Sequence, residues 1–340
     1  MNHTATRSSF FAHFVSKIEH LAPAWFVLVM GWCGLAQTWM HAQNIFGDTA
    51  IGLSLVAGAV AILLFGLLCL SCVIRLQVHP VAVQEDMRHP VRHAFMATFP
   101  VSMMLLATWG AGLFWNTSSM ANTLLRTLWI TGSLLELACT VWVLSRWLRS
   151  PEEGGLQWKT FSPVLFIPVV GNVLAPLGGV PMGMTDWASA QFGIGVLLWP
   201  VLQTLLMVRL VQAGPLPAPM SPTLFISVVP PSVIGLGMMQ FQAPDSVIWA
   251  LWGIAFFFML WSLTQLRTML AQPFGLPLWG VSFPLAAFTI LTIDVMHATS
   301  SAWLRLPATL LTAITSFVIV GLTINTWHAL RRGGLLVPDA

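Results

Sequence analysis

Eleven acidic and fourteen basic side chains occur in these 340 residues, and a single acid, Glu136, stands near the centre of a long apolar stretch. A carboxyl at that depth can relay protons, because such work needs a group that changes charge where lipid excludes water. Its plainer role is a glutamate packed between helices, and that is the expectation here. Asp294 falls near the end of another apolar stretch. The nine histidines, His3, His13, His20, His41, His79, His89, His93, His297 and His328, gather at stretch ends and in loops. No two are placed to face each other as haem ligands do. They show no metal-binding spacing, and neither a metal nor a cofactor is expected. Cys69 and Cys72 form a C-x-x-C pair without a second pair or a histidine cluster, which reads as packing. A G-x-x-x-x-G-K-S/T loop is absent, so ATP-driven work would need another subunit. This inventory does not describe an enzyme.

What must position these few groups is a membrane. Hydrophobic residues make up 57% of the chain and charged residues 7%, with a mean hydropathy of +0.82. No water-soluble surface can be built from that composition. A helix needs about 20 apolar residues to cross the hydrocarbon core. Ten windows qualify: 21–40, 51–74, 94–115, 121–145, 161–180, 187–208, 222–240, 246–266, 277–297 and 303–328. The first is too long for a signal-peptide core and is followed by no small-residue cleavage site, so it is read as a span. The expected organisation is a cytoplasmic segment at 1–20, one ten-helix membrane domain at 21–330 and a cytoplasmic tail at 331–340. Within the first segment, Phe10, Phe11, Phe14, Lys17 and Ile18 predict a short amphipathic helix on the membrane surface.

The windows alternate in kind. Odd-numbered ones carry proline inside or in the first turn: Pro23, Pro100, Pro163 with Pro168, Pro222 with Pro230 and Pro231, and Pro284. Even-numbered ones are mostly poor in proline, although Pro200 lies within the sixth, and run into Arg75, Arg146, Arg209, Arg267 and Arg331. Proline frees backbone groups that lipid cannot satisfy, so broken helices belong where protein or a water-filled path covers them. The pattern predicts five tandem helical hairpins, an inner ring of five proline-bearing helices around a pore and five outer helices. Interior glycines such as Gly31, Gly34 and Gly171 on the odd windows suit close helix approach or a lumen.

Orientation follows from the basic residues. If every window spans, only Arg126 and Arg305 fall on one side and the other twelve on the opposite one, which places both termini in the cytoplasm. The net charge of +3 is thus a topological signal and points to no nucleic acid. Seventeen tryptophans and no tyrosine make Trp the interfacial anchor. Odd helices then start on the cytoplasmic side, and their positive dipole ends meet Arg75, Arg88 and Arg92 at a mouth that favours anions. Carbonyls freed by proline favour cations instead, so the residues alone leave the ion's sign open.

Several motifs resemble the tellurite-resistance and dicarboxylate transporter family, which includes bacterial tellurite-resistance channels, fungal malate and sulfite transporters and the slow anion channels of plant guard cells. They are M-R-H-P at Met87 to Pro90, F-P-V-S-M-M-L at Phe99 to Leu105, F-I-P-V-V-G-N at Phe166 to Asn172, and A-Q-P-F…L-W-G-V-S-F-P at Ala271 to Pro284. The resemblance implies a homotrimer in the cytoplasmic (inner or plasma) membrane, each subunit with its own pore inside five inner and five outer helices. It implies passive conduction of small inorganic or organic anions, with Phe283 as a plug. On this reading Pro23, Pro100, Pro168, Pro230 and Pro284 shape the inner helices. Phe99, Phe166 and Asn172 are candidates to line the lumen, and Arg88 and Arg92 its cytoplasmic mouth. Two alternatives stand beside the channel: a proton-coupled exporter of a weak acid such as a C4-dicarboxylate or sulfite, and a membrane-anchor subunit of a respiratory enzyme.

Overall fold

The computed structural model describes residues 17–153 and 155–337, and every regular element among them is helical. In chain order the main helices are α1 (Val27–His41), α2 (Asp48–Val78), α3 (Pro80–Arg88), α4 (Thr98–Phe114), α5 (Ser119–Ser145), the interrupted α6 (Pro163–Gly179), α7 (Thr185–Ala213), α8 (Val229–Gln240), α9 (Asp245–Leu263), α10 (Ser282–Ala298) and α11 (Arg305–Arg331). Most of the predicted amphipathic segment lies outside the described residues.

Among the described residues, eight helical segments are long and apolar enough to cross a membrane. Two of the ten sequence windows depart from that expectation. The window at 21–40 yields a 15-residue α-helix preceded by a 3-10 turn at Pro23–Phe26. The window at 161–180 breaks into 3-10 and α pieces in alternation: Pro163–Phe166, Ile167–Val170, Gly171–Leu174 and Ala175–Gly179. Each proline removes one donor from the i to i−4 ladder, and the backbone on its N-terminal side tightens to i to i−3 bonding. The other proline-bearing segments do the same: 3-10 turns at Arg92–Ala97, Ala218–Val228 and Leu276–Val281 lead into α4, α8 and α10.

Burial separates the two kinds of helix. In the most apolar window of the three proline-bearing spans, 72–83% of residues are buried, against 22–33% in α2, α5, α7, α9 and α11. α1 and α6 are likewise almost wholly interior. The second group shows large apolar side chains outward, Leu63, Leu197 and Phe317 among them, as a lipid-facing surface does. Pro200 sits on such an exposed face inside α7, and nothing in the structure explains it. Each proline-bearing segment lies against the helix that follows it, and contacts also run α1 to α4, α4 to α6, α6 to α8, α8 to α10 and α10 back to α1.

Glycine brings α1 and α10 close together. A methyl group at Gly31 would lie 2.7 Å from Ser282 Oγ, and one at Gly34 would lie 2.7 Å from Ala286 Cβ. Small residues let the two backbones close on each other. Gly34→Val is therefore expected to cost about 1–3 kcal/mol through overpacking, read as a lower midpoint of thermal unfolding in detergent. An unaltered midpoint would show that this seam tolerates bulk.

Candidate functional site

The five interior segments leave a chamber of about 50 Å³ where they meet. Each contributes to its lining, through Met30 of α1, Val101 of α4, Gly171 of α6, Val229 of α8, and Phe283 with Pro284 of α10. No ionisable side chain lines it. That volume holds only a few waters, so an anion does not fit there with its hydration shell. The Phe283 side chain is buried, and its ring edge lies against the face of α1 where Gly34 has no side chain.

A second, wider cavity of about 400 Å³ opens next to the chamber. The two share Val27, Ile167, Ile226 and Gly280, so they adjoin. This vestibule sits at the N-terminal ends of the interior segments, and its lining includes Arg92, His89 and Thr223. The proline of M-R-H-P builds its rim. Pro90 holds His89 extended at φ −62° and ψ 135°, as the residue before proline prefers. His89 Nδ1 then accepts the backbone N–H groups of Val91 and Arg92 at 3.1 and 3.0 Å. Arg92 Nε lies 3.3 Å from Asp86 Oδ1, and Arg75 Nη1 lies 2.7 Å from Asp86 Oδ2.

A narrow apolar chamber behind a basic vestibule suits an ion path, and similarity to known proteins decides its kind. The family model described as voltage-dependent anion channel matches residues 20–327. The chain belongs to the SLAC1 family of voltage-dependent anion channels. It is 25% identical over 277 residues to a tellurite resistance protein TehA homolog of Haemophilus influenzae, covering 80% of each chain. It is 25% identical to an S-type anion channel of Arabidopsis thaliana, covering 76% of this chain and 49% of the plant protein, about half the plant channel's length. An uncharacterised transporter of Methanocaldococcus jannaschii is 25% identical over 304 residues, covering 80% of this chain and 82% of that one. The family is the one that the sequence motifs resemble.

In this SLAC1-family chain, some of the residues expected at the lumen lie elsewhere. Phe99 stacks on Phe65 of α2 with ring centroids 5.7 Å apart and meets Phe26 edge-on at 5.3 Å. It therefore faces an outer helix. Phe166 is wholly buried and lines neither cavity. Asn172 turns away from the chamber that its neighbour Gly171 lines. Its Nδ2 donates to Thr140 Oγ1 at 2.7 Å and Pro168 O at 3.0 Å, and its Oδ1 accepts from Gln191 Nε2 at 3.2 Å. Gln191 donates in turn to Ser133 O at 3.1 Å, so this polar network joins α5, α6 and α7. Arg88 is likewise not at the vestibule. It lines a separate surface pocket with Arg146 and Arg149, and its carbonyl accepts from Arg146 Nη2 at 2.9 Å. The extended backbone at His89 sends Arg88 and Arg92 in different directions.

The sequence reading missed Met30, Val101, Val229 and Trp279 as lining residues. Ile167, Val229 and Phe283 each directly precede a proline and line the chamber, whereas Phe99, which precedes Pro100, does not. The C-x-x-C residues Cys69 and Cys72 are free thiols. At the end of α10 remote from the vestibule, Asp294 pairs with His41 of α1 at 2.7 Å.

Proposed function

We propose that this chain is a channel or facilitator that lets small anions pass through each subunit along the vestibule and chamber, with the Phe283 ring as the movable plug. One observation carries the reading. The two cavities adjoin at the junction of all five proline-bearing segments, and Phe283 lines the narrow one. The circuit of contacts among those segments supports a ten-span subunit with five inner and five outer helices. In it Pro23, Pro100, Pro168, Pro230 and Pro284 fix where each inner helix changes hydrogen bonding. A rotamer change at Phe283 opens such a path without moving a helix. Arg92 and His89 face incoming anions at the cytoplasmic mouth, both termini lie in the cytoplasm, and the assembly is a trimer in the cell membrane. The names of the relatives, a tellurite resistance protein and an S-type anion channel, agree with an anionic substrate.

Voltage-driven flux in liposomes tests the proposal with a panel of chloride, nitrate, sulfite and malate. Flux that follows voltage and gains no driving force from an imposed pH gradient is the expected result. Accumulation driven by that gradient would replace the channel with the proton-coupled exporter. The vestibule makes its own prediction. Arg92→Gln is expected to lower entry from its side about threefold at low ionic strength through lost attraction, and to match the parent in high salt, where screening removes the difference. Equal reductions in both salts would mean that Arg92 only shapes the rim.

A further inference from the structure

Glu136 is fully buried on α5, and neither of its carboxyl oxygens has a hydrogen-bond partner. Buried polar side chains are nearly always paired, so an orphaned carboxyl calls for a role. Its position supplies one. A methyl group built on Gly171 would overlap the Glu136 carboxyl, and the next residue it would meet is Val101. Gly171 and Val101 both line the central chamber. The missing side chain of Gly171 thus leaves a gap in the wall, and a carboxyl from an outer helix fills it from behind.

Among the described residues no ion pair reaches it. α4 and α6 carry no ionisable residue. The nearest cations in sequence on the packed elements are engaged elsewhere: Arg92 with Asp86, Arg146 with the Met87 and Arg88 carbonyls, and Arg209 of α7 with the Gly214 carbonyl, while His93 bonds the His89 carbonyl. Cys139, one turn further along α5, is its titratable neighbour. The chamber lining itself contains no cation.

We propose that Glu136 is the proton site of the conduit: protonated, it leaves the chamber neutral and lets anions pass; ionised, it sets a negative charge behind the wall and repels them. On ionisation the proton leaves to water and the carboxylate stays. Away from bulk water, with no cation beside it, a single charge next to a narrow apolar passage outweighs every other polar feature of the lining. The proposal rests on the anion-conduit reading, and it concerns the pH on both sides together, not a gradient between them.

The test is chloride and nitrate flux in liposomes with equal pH inside and out, stepped from mildly acid to mildly alkaline, on the parent and on a Phe283→Ala background. Flux should fall at least tenfold as pH rises. Glu136→Gln, of the same shape and permanently neutral, should hold the acid-side flux at every pH. Glu136→Asp keeps a titratable group at the site and should keep the fall, which decides the matter if the glutamine variant fails to assemble. Parent flux that ignores pH, or a glutamine variant that retains the parent's profile, would overturn the proposal. No flux from the Phe283→Ala protein at any pH would instead overturn the conduit reading beneath it.

Discussion

Phe283→Ala is expected to raise anion flux about ten- to a hundredfold, equivalent to lowering the barrier by about 1.4–2.8 kcal/mol. The Phe283 ring lines a chamber of about 50 Å³ that no ionisable side chain reaches from its lining. A chamber so small and so apolar holds only a few waters, and an ion that enters it must shed most of its hydration shell with nothing charged to replace it. Removing the phenyl group enlarges the chamber and admits water with the anion. The substitution also takes packing from α1, since the ring edge lies 3.3 Å from where a methyl group on Gly34 would sit. Large-to-small changes of a buried Phe cost about 3–5 kcal/mol; the empty space already on one side of this ring puts the loss toward the lower figure. Phe283→Leu should therefore give an intermediate flux with less loss of stability. Voltage-clamped current or liposome efflux, normalised to the amount of folded protein, reads both variants. Unchanged flux at normal yield would remove Phe283 from the gate.

The largest effect on stability should come from Arg75→Leu, at about 3–5 kcal/mol. The sequence places Arg75 at the cytoplasmic mouth, yet it lines neither cavity, it is 5% exposed and its partner Asp86 is 1% exposed. Arg75 Nη1 lies 2.7 Å from Asp86 Oδ2, and its Nε donates to the carbonyl of Glu19 at 3.0 Å. One guanidinium thus ties the end of α2 to α3 and to the segment entering α1. Deleting it leaves a buried carboxylate without its closest counter-charge, and the expected readout is a lower midpoint of thermal unfolding in detergent. The double variant Arg75→Leu with Asp86→Leu should recover most of the loss, because removing both ions avoids the stranded charge. Asp86 also meets Arg92, so the single variant should alter the vestibule and the double variant should free Arg92. A melting midpoint equal to the parent's in Arg75→Leu would show that the pair contributes no net stability.

Much of this architecture was legible before any coordinates. The apolar windows at 51–74, 121–145, 187–208, 246–266 and 303–328 correspond to long helices with lipid-facing exteriors, because hydropathy over about 20 residues reports the solvent directly. Proline marked the interior set, because a missing N–H is tolerated only under cover. The motifs from Met87 to Pro284 were sufficient to place the family. The windows at 21–40 and 161–180 were less legible. Counting apolar residues there suggested full helices, while Pro23 and the prolines of α6 shortened or divided them.

Site residues were legible only in part, and α6 shows why. Sequence proximity to Pro168 nominated Phe166 and Asn172, but the chamber takes Ile167, Val170, Gly171 and Leu174 from that stretch. An α-helix advances 3.6 residues per turn and a 3-10 helix about 3.0, so each switch between them shifts which face the next side chain occupies. With several switches in 17 residues, no fixed period carries a face from one end to the other. The same limit turned Phe99 toward Phe65 and parted Arg88 from Arg92.

The sequence by itself determined that this is a many-helix membrane protein, which helices are interior, and to which family it belongs. Those properties follow from composition, from proline and from short motifs, all local quantities. Only the tertiary structure decided that Phe283 shares a chamber with residues of four other segments, that Asn172 serves a polar network, and that the Glu136 carboxyl of an outer helix lies against Gly171 of the chamber lining. Those are juxtapositions between helices, fixed by packing and by where each backbone changes its hydrogen bonding, and no stretch of one helix encodes them.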